Sequence, residues 1–291
     1  MKIKGFIFTL LAAVVVMFAA CDVVPEDDRL VEVPLNPSDR TVLLIEFTGN
    51  RCVNCPGAAM VAHEMIELIP ENIVVVGMHP DAIVSSTEPL VPDVDFRSSE
   101  AMEYLSSYGG SIGTGLPVGV INGRKFNNTY LLGSSTWTAN VFAQREIAPD
   151  CLIKLSHSEE NDNHKVVAQL EPQAEMGYDV SLQYWLIESN IVAPQFIAKS
   201  LRASYLEKHP NAQFSGDHVN NYEHNHVFRG TLNGLWGEEL GKLTETKEVA
   251  CSFEVDAKYV TDNCSVVAVL INTQTREVVQ AAEISLGAGA H

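Results

Sequence analysis

Two cysteines three residues apart, Cys52 and Cys55, are the side chains of this 291-residue chain best suited to chemistry. A thiolate is the nucleophile of thiol–disulfide exchange, and a helix N-terminus lowers a cysteine pKa from about 8.5 to roughly 3.5–7.5. In Arg51-Cys52-Val53-Asn54-Cys55-Pro56 the preceding Arg51 favours a thiolate by proximity. The same pair also fits a structural disulfide that pins a loop. A zinc half-site would need a second ligand pair at similar spacing, and the neighbouring sequence has none. His218, Glu223, His224 and His226 form a second cluster. His224 and His226 alternate, so a strand would turn both to one side. Metal binding and ordinary hydrogen-bonded histidines both fit that set. His79 ends an apolar run, where open α/β sheets place their sites; it borders the cysteine pair or caps the strand. Cys151, Cys251 and Cys264 are an odd set, read either as a Cys251–Cys264 bridge with one thiol left over or as buried free thiols. The chain lacks a Gly-rich phosphate loop, a Ser nucleophile elbow and a paired-carboxylate motif, and no cofactor is expected.

The elements that must position Cys52 and Cys55 are legible around them. Thr41 to Phe47 is a nearly continuous apolar run, as in a strand buried on both faces. Ala58, Val61, Ala62, Met65, Leu68 and Ile69 follow at helical spacing, with His63, Glu64 and Glu67 on the opposite face. Pro70 and Asn72 stop that helix, and Ile73 to Val76 supplies a second buried strand. A Cys-x-x-Cys within a β-α-β pattern is a redox-motif context. Ile83 to Asp95 reads as loop, Phe96 to Tyr108 as a helix, and Asn122-Gly123 as a hairpin turn after the run Val118 to Ile121. A further helix runs from Ser134 to Ile147.

Thr41 to about Ile147 resembles the active-site half of the thioredoxin family. The resemblance implies that Glu46, six residues before Cys52, is a buried acid beneath the sheet. It implies that Pro117, before the strand Val118 to Ile121, is a cis-proline facing the disulfide. It further implies roles: Cys52 attacks a substrate disulfide, Cys55 resolves the mixed intermediate, Glu46 takes the proton from Cys55, and Pro117 holds the substrate backbone. Pro56 departs from the family pattern. With Cys52 as helix N-cap, Pro56 would sit opposite the Cys52 carbonyl without the N–H that should bond it. Proline is at ease in the first helical turn, so a start at Pro56 moves the dipole's help from Cys52 towards Cys55. Either the activated sulfur changes, or the disulfide is inert.

The first twenty residues read as a leader: Lys2 and Lys4, then an apolar stretch from Gly5 to Ala20 that is short for a membrane span. Phe18-Ala19-Ala20-Cys21 looks like a bacterial lipoprotein processing site, which would make a diacylated Cys21 the first residue of the mature chain. An ordinary secretory leader is the other reading. Lipidation anchors a protein without spanning the bilayer, and residues 21–38 read as a polar tether. The 19 basic against 37 acidic side chains give a formal charge of −18, or −20 without the leader, which argues against a nucleic-acid partner. Six cysteines in an exported chain allow a resting disulfide.

From Cys151 the hydrophobic period changes from 3.6 to 2. Cys151 to His157, His164 to Glu171, Tyr178 to Ser189, Val249 to Asp256 and Ser265 to Thr273 read as strands separated by turn clusters. Short strands without helical crossovers point to an antiparallel sandwich, while Pro194 to Leu240 reads as long loops. The expected organisation is thus a leader (1–20), a lipidated tether (21–38), an α/β thioredoxin-like domain (39–148) and an all-β, immunoglobulin-like sandwich (149–291). Tyr222 to Arg229, Val266 to Asn272 and Glu277 to Glu283, together with Arg51 to Pro56, resemble a Bacteroidetes family of outer-membrane lipoproteins named for a twenty-eight-kilodalton outer-membrane protein. That resemblance implies the same two-part architecture and an outer-membrane address, on the periplasmic or the outward face. Two functions are expected to compete: a lipid-anchored thiol-disulfide oxidoreductase using Cys52 and Cys55 on envelope proteins, and a binding or assembly lipoprotein in which that disulfide is structural.

Overall fold

The computed structural model describes residues 39–173 and 175–287; the expected leader, Cys21 and the whole tether lie outside the described residues. In the first half, β1 (Val42–Phe47) has every residue buried, as its unbroken apolar run requires. It is followed by α1 (Cys55–Leu68) and β2 (Ile73–Pro80), then α2 (Val84–Thr87), β3 (Arg97–Ser98), α3 (Ser99–Ser107), β4 (Val118–Ile121) and α4 (Trp137–Arg145). The four-residue α2 interrupts the stretch expected as loop. In α3 the Ser98 side chain accepts from the Ala101 N–H, a helix N-cap of the usual kind. β1 and β2 are parallel with Glu46 opposite Gly77, and β4 runs antiparallel to β1 with Gly119 opposite Glu46. The Leu116–Pro117 peptide that enters β4 is cis. Asn122 and Gly123 leave β4 with φ of 47° and 58°, the left-handed pair that a tight Asn-Gly turn demands. A Cβ at Gly123 would come within 2.4 Å of the Arg276 carbonyl oxygen, so a larger residue has no room there.

The second half comprises β5 (Cys151–Glu160), β6 (Asn163–Pro172), β7 (Val180–Glu188), β8 (Ile191–Phe196), α5 (Arg202–Lys208), β9 (Phe214–Ser215), β10 (His218–His224), β11 (Val227–Thr231), β12 (Glu238–Gly241), β13 (Lys247–Glu254), β14 (Cys264–Asn272) and β15 (Val278–Ser285). The five runs of alternating residues are β5, β6, β7, β13 and β14. The stretch from Pro194 to Leu240, expected as loops, instead holds parts of five strands and a helix. Its strands are short, and the β8–β10 pairing is broken by a bulge between Val219 and Tyr222, which erases the period-2 pattern that marks a strand.

Sheet topology joins the two halves. The main sheet has nine strands, ordered β15-β14-β7-β11-β2-β1-β4, with β12 beside β7 and β3 beside β2. β11 lies between β7 and β2: Val227 is opposite Gly77, and the Gly77 N–H donates to the His226 carbonyl at 2.8 Å. The expected boundary at residues 148–149 therefore falls between α4 and β5 in the chain, while the sheet continues across it and the described residues fall within one compact unit. Two smaller sheets, β8-β10-β9 and β13-β6-β5, complete the architecture. The described residues are sheet-rich, with most of their helices in the first half.

Cores follow from the alternation of side chains across the main sheet. On one face Val74, Val76 and Met78 of β2 pack with Tyr104 and Leu105 of α3, Trp185 of β7 and Phe228 of β11. Tyr104 donates to the Leu235 carbonyl and accepts from Trp185 Nε1 at 3.0 Å, so the buried polar atoms of this layer are satisfied. On the other face Val42, Leu44 and Val75 meet Ala58, Ala62 and Met65 of α1 and Trp137 of α4. A third core lies where the β13-β6-β5 sheet meets β7 and β14, with Val166, Ala168 and Leu170 against Leu182, Tyr184, Val266 and Ala268.

Candidate functional site

Cys52 and Cys55 form a disulfide, and both residues are buried, 6% and 2% exposed. α1 starts at Cys55, with Asn54 as N-cap and Pro56 in the first turn, where a missing N–H costs nothing. Cys52 thus precedes the helix rather than capping it, and the helix dipole is aimed closer to Cys55. Arg51 does not serve the sulfurs. Its guanidinium pairs with Glu88 at 3.3 Å and donates to the Glu88 carbonyl at 2.9 Å. The motif is covered by the chain itself. Gln195 Nε2 donates to the carbonyls of Gly49 (3.2 Å) and Cys52 (3.1 Å). The N–H groups of Phe196 and Ala198 donate to the carbonyls of Asn50 (2.9 Å) and Val53 (2.8 Å). β8 and the turn after it therefore lie along the motif as an extended segment, hydrogen-bonded main chain to main chain.

Behind the disulfide is a cavity of about 520 Å³ whose walls include Cys55, Glu46, His79, His224 and His226. Its floor is the α1-facing side of the main sheet, formed by Glu46, Thr48, Val75, Gly77, His79 and Val227. α1 roofs it with Ala59, Ala62, His63 and Ile66, while Tyr205 of α5 and Tyr222 of β10 close one side. Gly77 keeps the floor open; an added Cβ there would meet its nearest neighbour, the His226 carbonyl oxygen, at an ordinary 3.6 Å. Cys52 and Pro117 are not among the cavity walls. Of the expected site residues the structure thus gathers Glu46 and Cys55 around one space, with His79, His224 and His226.

Burial governs the electrostatics of this space. Desolvation, partly offset by a hydrogen bond from Thr48, pushes the Glu46 carboxyl up to about 8, so it is protonated at neutral pH. Desolvation pushes His79 down to about 3, helped by nearby His224 and Arg229. It pushes His224 to about 3 and His226 to about 4, so all three are neutral imidazoles. Four buried atoms here have no hydrogen-bond partner: Glu46 Oε1, His79 Nδ1, His224 Nε2 and His226 Nδ1. An unpartnered buried polar atom costs about 1–3 kcal/mol. All four belong to residues that line the cavity, and each atom is itself sealed from solvent.

His224 and His226 do share a space, though not as alternating residues of one strand: His224 ends β10, and His226 sits in the following turn at φ 56°. His218 pairs with Asp217 instead. Among the described residues no group of three His, Cys, Asp or Glu side chains is placed to hold a metal ion. Cys251 and Cys264 do not bridge; with Cys151 they are buried free thiols, and burial raises Cys151 to about 11 and Cys264 to about 12. Gln195, Tyr205 and Tyr222 are the functional residues that sequence reasoning missed. Only the Tyr222/His224 alternation hinted at one buried face.

No helix among the described residues is long and apolar enough to cross a membrane. Comparison with the curated proteins finds no match. Among solved structures, the chain is similar to a domain of the outer membrane lipoprotein Omp28 from Porphyromonas gingivalis, with 19% identity over 48% of this chain and 89% of that one and a TM-score of 0.31. A β-glucosidase from Kluyveromyces marxianus shares 9% identity over 47% of this chain and 14% of its own, with a TM-score of 0.20. The family described as outer membrane protein Omp28 matches residues 102–288, well over half of the sequence. The chain therefore belongs to the Omp28 family and is a protein of the outer membrane.

Proposed function

We propose that this protein is a binding protein held at the outer membrane by a lipid on Cys21, and that its Cys52–Cys55 disulfide is a structural brace. The observation that carries this reading is the burial of both cysteines beneath the chain's own Gln195–Ala198 segment. A catalytic disulfide must let a partner's sulfur reach one of its own, and that approach is occupied. The brace fixes the start of α1, whose Cys55 and Pro56 are part of the cavity wall. The test is the reduction potential of the pair in graded glutathione buffers, with thiols trapped and counted by mass. Structural disulfides lie below about −300 mV and exchange catalysts between about −120 and −270 mV. A value in the lower range is expected; one in the upper range would replace the binding reading with an oxidoreductase.

One observation favours that second reading. Glu46, protonated at neutral pH, shares the cavity with Cys55. The parallel β1–β2 pair, the Cys-x-x-Cys at a helix start and the cis-proline before β4 support a thioredoxin-like description of the first half. The packing of β13-β6-β5 on β7 and β14 supports an immunoglobulin-like description of the second. In the reduced protein, the Cys52 thiolate would attack a partner disulfide and release one partner thiolate. Above about pH 8, where Glu46 is ionised, Cys55 would then give its proton to that carboxylate and displace the second, leaving the partner reduced and Cys52–Cys55 oxidised. Partners in either reading are proteins or small molecules of the envelope.

A further inference from the structure

The cavity behind the disulfide has an apolar wall on one side and two phenols on the other. The sealed atoms of Glu46, His79 and His224 meet no occupant. What an occupant meets is Ala59, Met60 and Ile66 along α1, with the rings of Tyr205 and Tyr222 beside them, stacked with centroids 5.5 Å apart. Both tyrosines are nearly buried, 3% and 8% exposed. A buried phenol usually has a hydrogen-bond partner. Yet neither hydroxyl is paired with a protein group among the described residues, and neither is one of the sealed atoms. Glu46 helps to hold the proton on Tyr222, which places that hydroxyl towards the cavity floor.

Among the described residues, the interior holds no charge to balance one on a ligand. Glu46 is protonated at neutral pH, and His79, His224 and His226 are neutral. Lys208 at the rim is taken by Glu64. A charged group carried inside would lose its hydration and find no partner. We infer that the cavity binds an uncharged ring compound bearing a hydroxyl or carbonyl oxygen, its rings against α1 and its oxygen on the Tyr222 hydroxyl. The inference rests on the binding reading above and names its ligand class. A phenol hydroxyl donates and accepts, so it can pair with either kind of oxygen. An apolar cavity of about 150 Å³ holds one benzene ring, so 520 Å³ admits about two or three fused rings.

Calorimetric titration of the full chain in detergent, with 2-naphthol, 2-naphthoate and 2-naphthylmethylamine as probes, tests this. Ala59→Phe in the same detergent reports uptake by the micelles alone. Ala59 is half-buried on the cavity side of α1 and outside the apolar core, so a larger ring there fills the space and displaces no core residue. The unsubstituted chain is expected to bind 2-naphthol at least tenfold more tightly than either charged probe, and Ala59→Phe to abolish that binding. Tyr222→Phe keeps the stacked ring and removes only the unpaired hydroxyl. It is expected to weaken 2-naphthol about tenfold without lowering the thermal midpoint. If the acid or the amine binds as tightly as 2-naphthol, or Tyr222→Phe leaves its affinity unchanged, the ligand class is wrong while the cavity reading stands. If no probe binds above the level of Ala59→Phe, the cavity reading falls with it.

Discussion

Glu46 and the three histidines around it respond to pH in opposite senses. Glu46 has a folded pKa near 8 against an ordinary 4.5, so between those values the folded chain keeps a proton that the unfolded chain has lost. Its contribution to stability is complete below pH 4.5 and is lost as pH rises through 8. His79, His224 and His226 have folded values near 3 to 4 against 6.5, so their contribution is lost as pH falls from 6.5 towards 3. Each proton is worth about 1.4 kcal/mol per pH unit at most. Three histidines outweigh one acid below 6.5, and the acid acts alone above it. The thermal midpoint is therefore expected to peak near pH 6.5, with a steep acid limb and a shallow alkaline one. Glu46→Gln should flatten the alkaline limb; scanning calorimetry from pH 4 to 9 would show it. Glu46 stood out in the sequence by its position before Cys52, and His79 by its place at a strand end. Their meeting with His224 and His226 did not, because it depends on β11 lying beside β2, a pairing between residues about 150 apart that no local pattern encodes.

Among the elements, β8 with the turn after it decides how the disulfide is seen from outside. Its sequence carries Pro194, does not alternate cleanly and pairs with a bulged partner, so it reads as loop; what holds it is Gln195, whose amide reaches into the Cys-x-x-Cys turn. Gln195→Ala removes the donor for two motif carbonyls and is expected to lower stability by about 1–3 kcal/mol. It should also speed reduction of Cys52–Cys55 by dithiothreitol at least tenfold, read as alkylated thiols by mass. An unchanged rate would mean that something other than this cover limits access. By contrast the start of α1 was legible. Pro56 pointed to a helix starting there rather than at Cys52, and the observed start lies one residue earlier, at Cys55, with Pro56 in the first turn.

At the scale of the whole molecule, individual strands are legible in the hydrophobic pattern and their order is not. Val42–Phe47, Ile73–Pro80 and Cys264–Asn272 are all apolar enough to be recognised as buried, yet nothing in them says that β11 joins the halves. Hydrophobic pattern reports burial, not neighbours. The change of period at Cys151 suggested separable domains, but β2 buries Val74, Val76 and Met78 against Trp185, Phe228 and Val267 from beyond it. Residues 39–148 expressed alone are therefore expected to lack a cooperative thermal transition, whereas residues 39–287 should unfold in one; two independent transitions would sink the idea. The segment leading into β1 is also latched to β15. The Thr41 N–H donates to Gln280 Oε1 at 2.9 Å, Gln280 Nε2 to the Asp39 carbonyl at 2.8 Å, and Arg40 to the Val279 carbonyl at 3.2 Å. Contacts 239 residues apart form only when the last strand is present. A polypeptide threaded N-terminus first through an export pore would thus stay incomplete, and slack enough to pass, until β15 had cleared the channel.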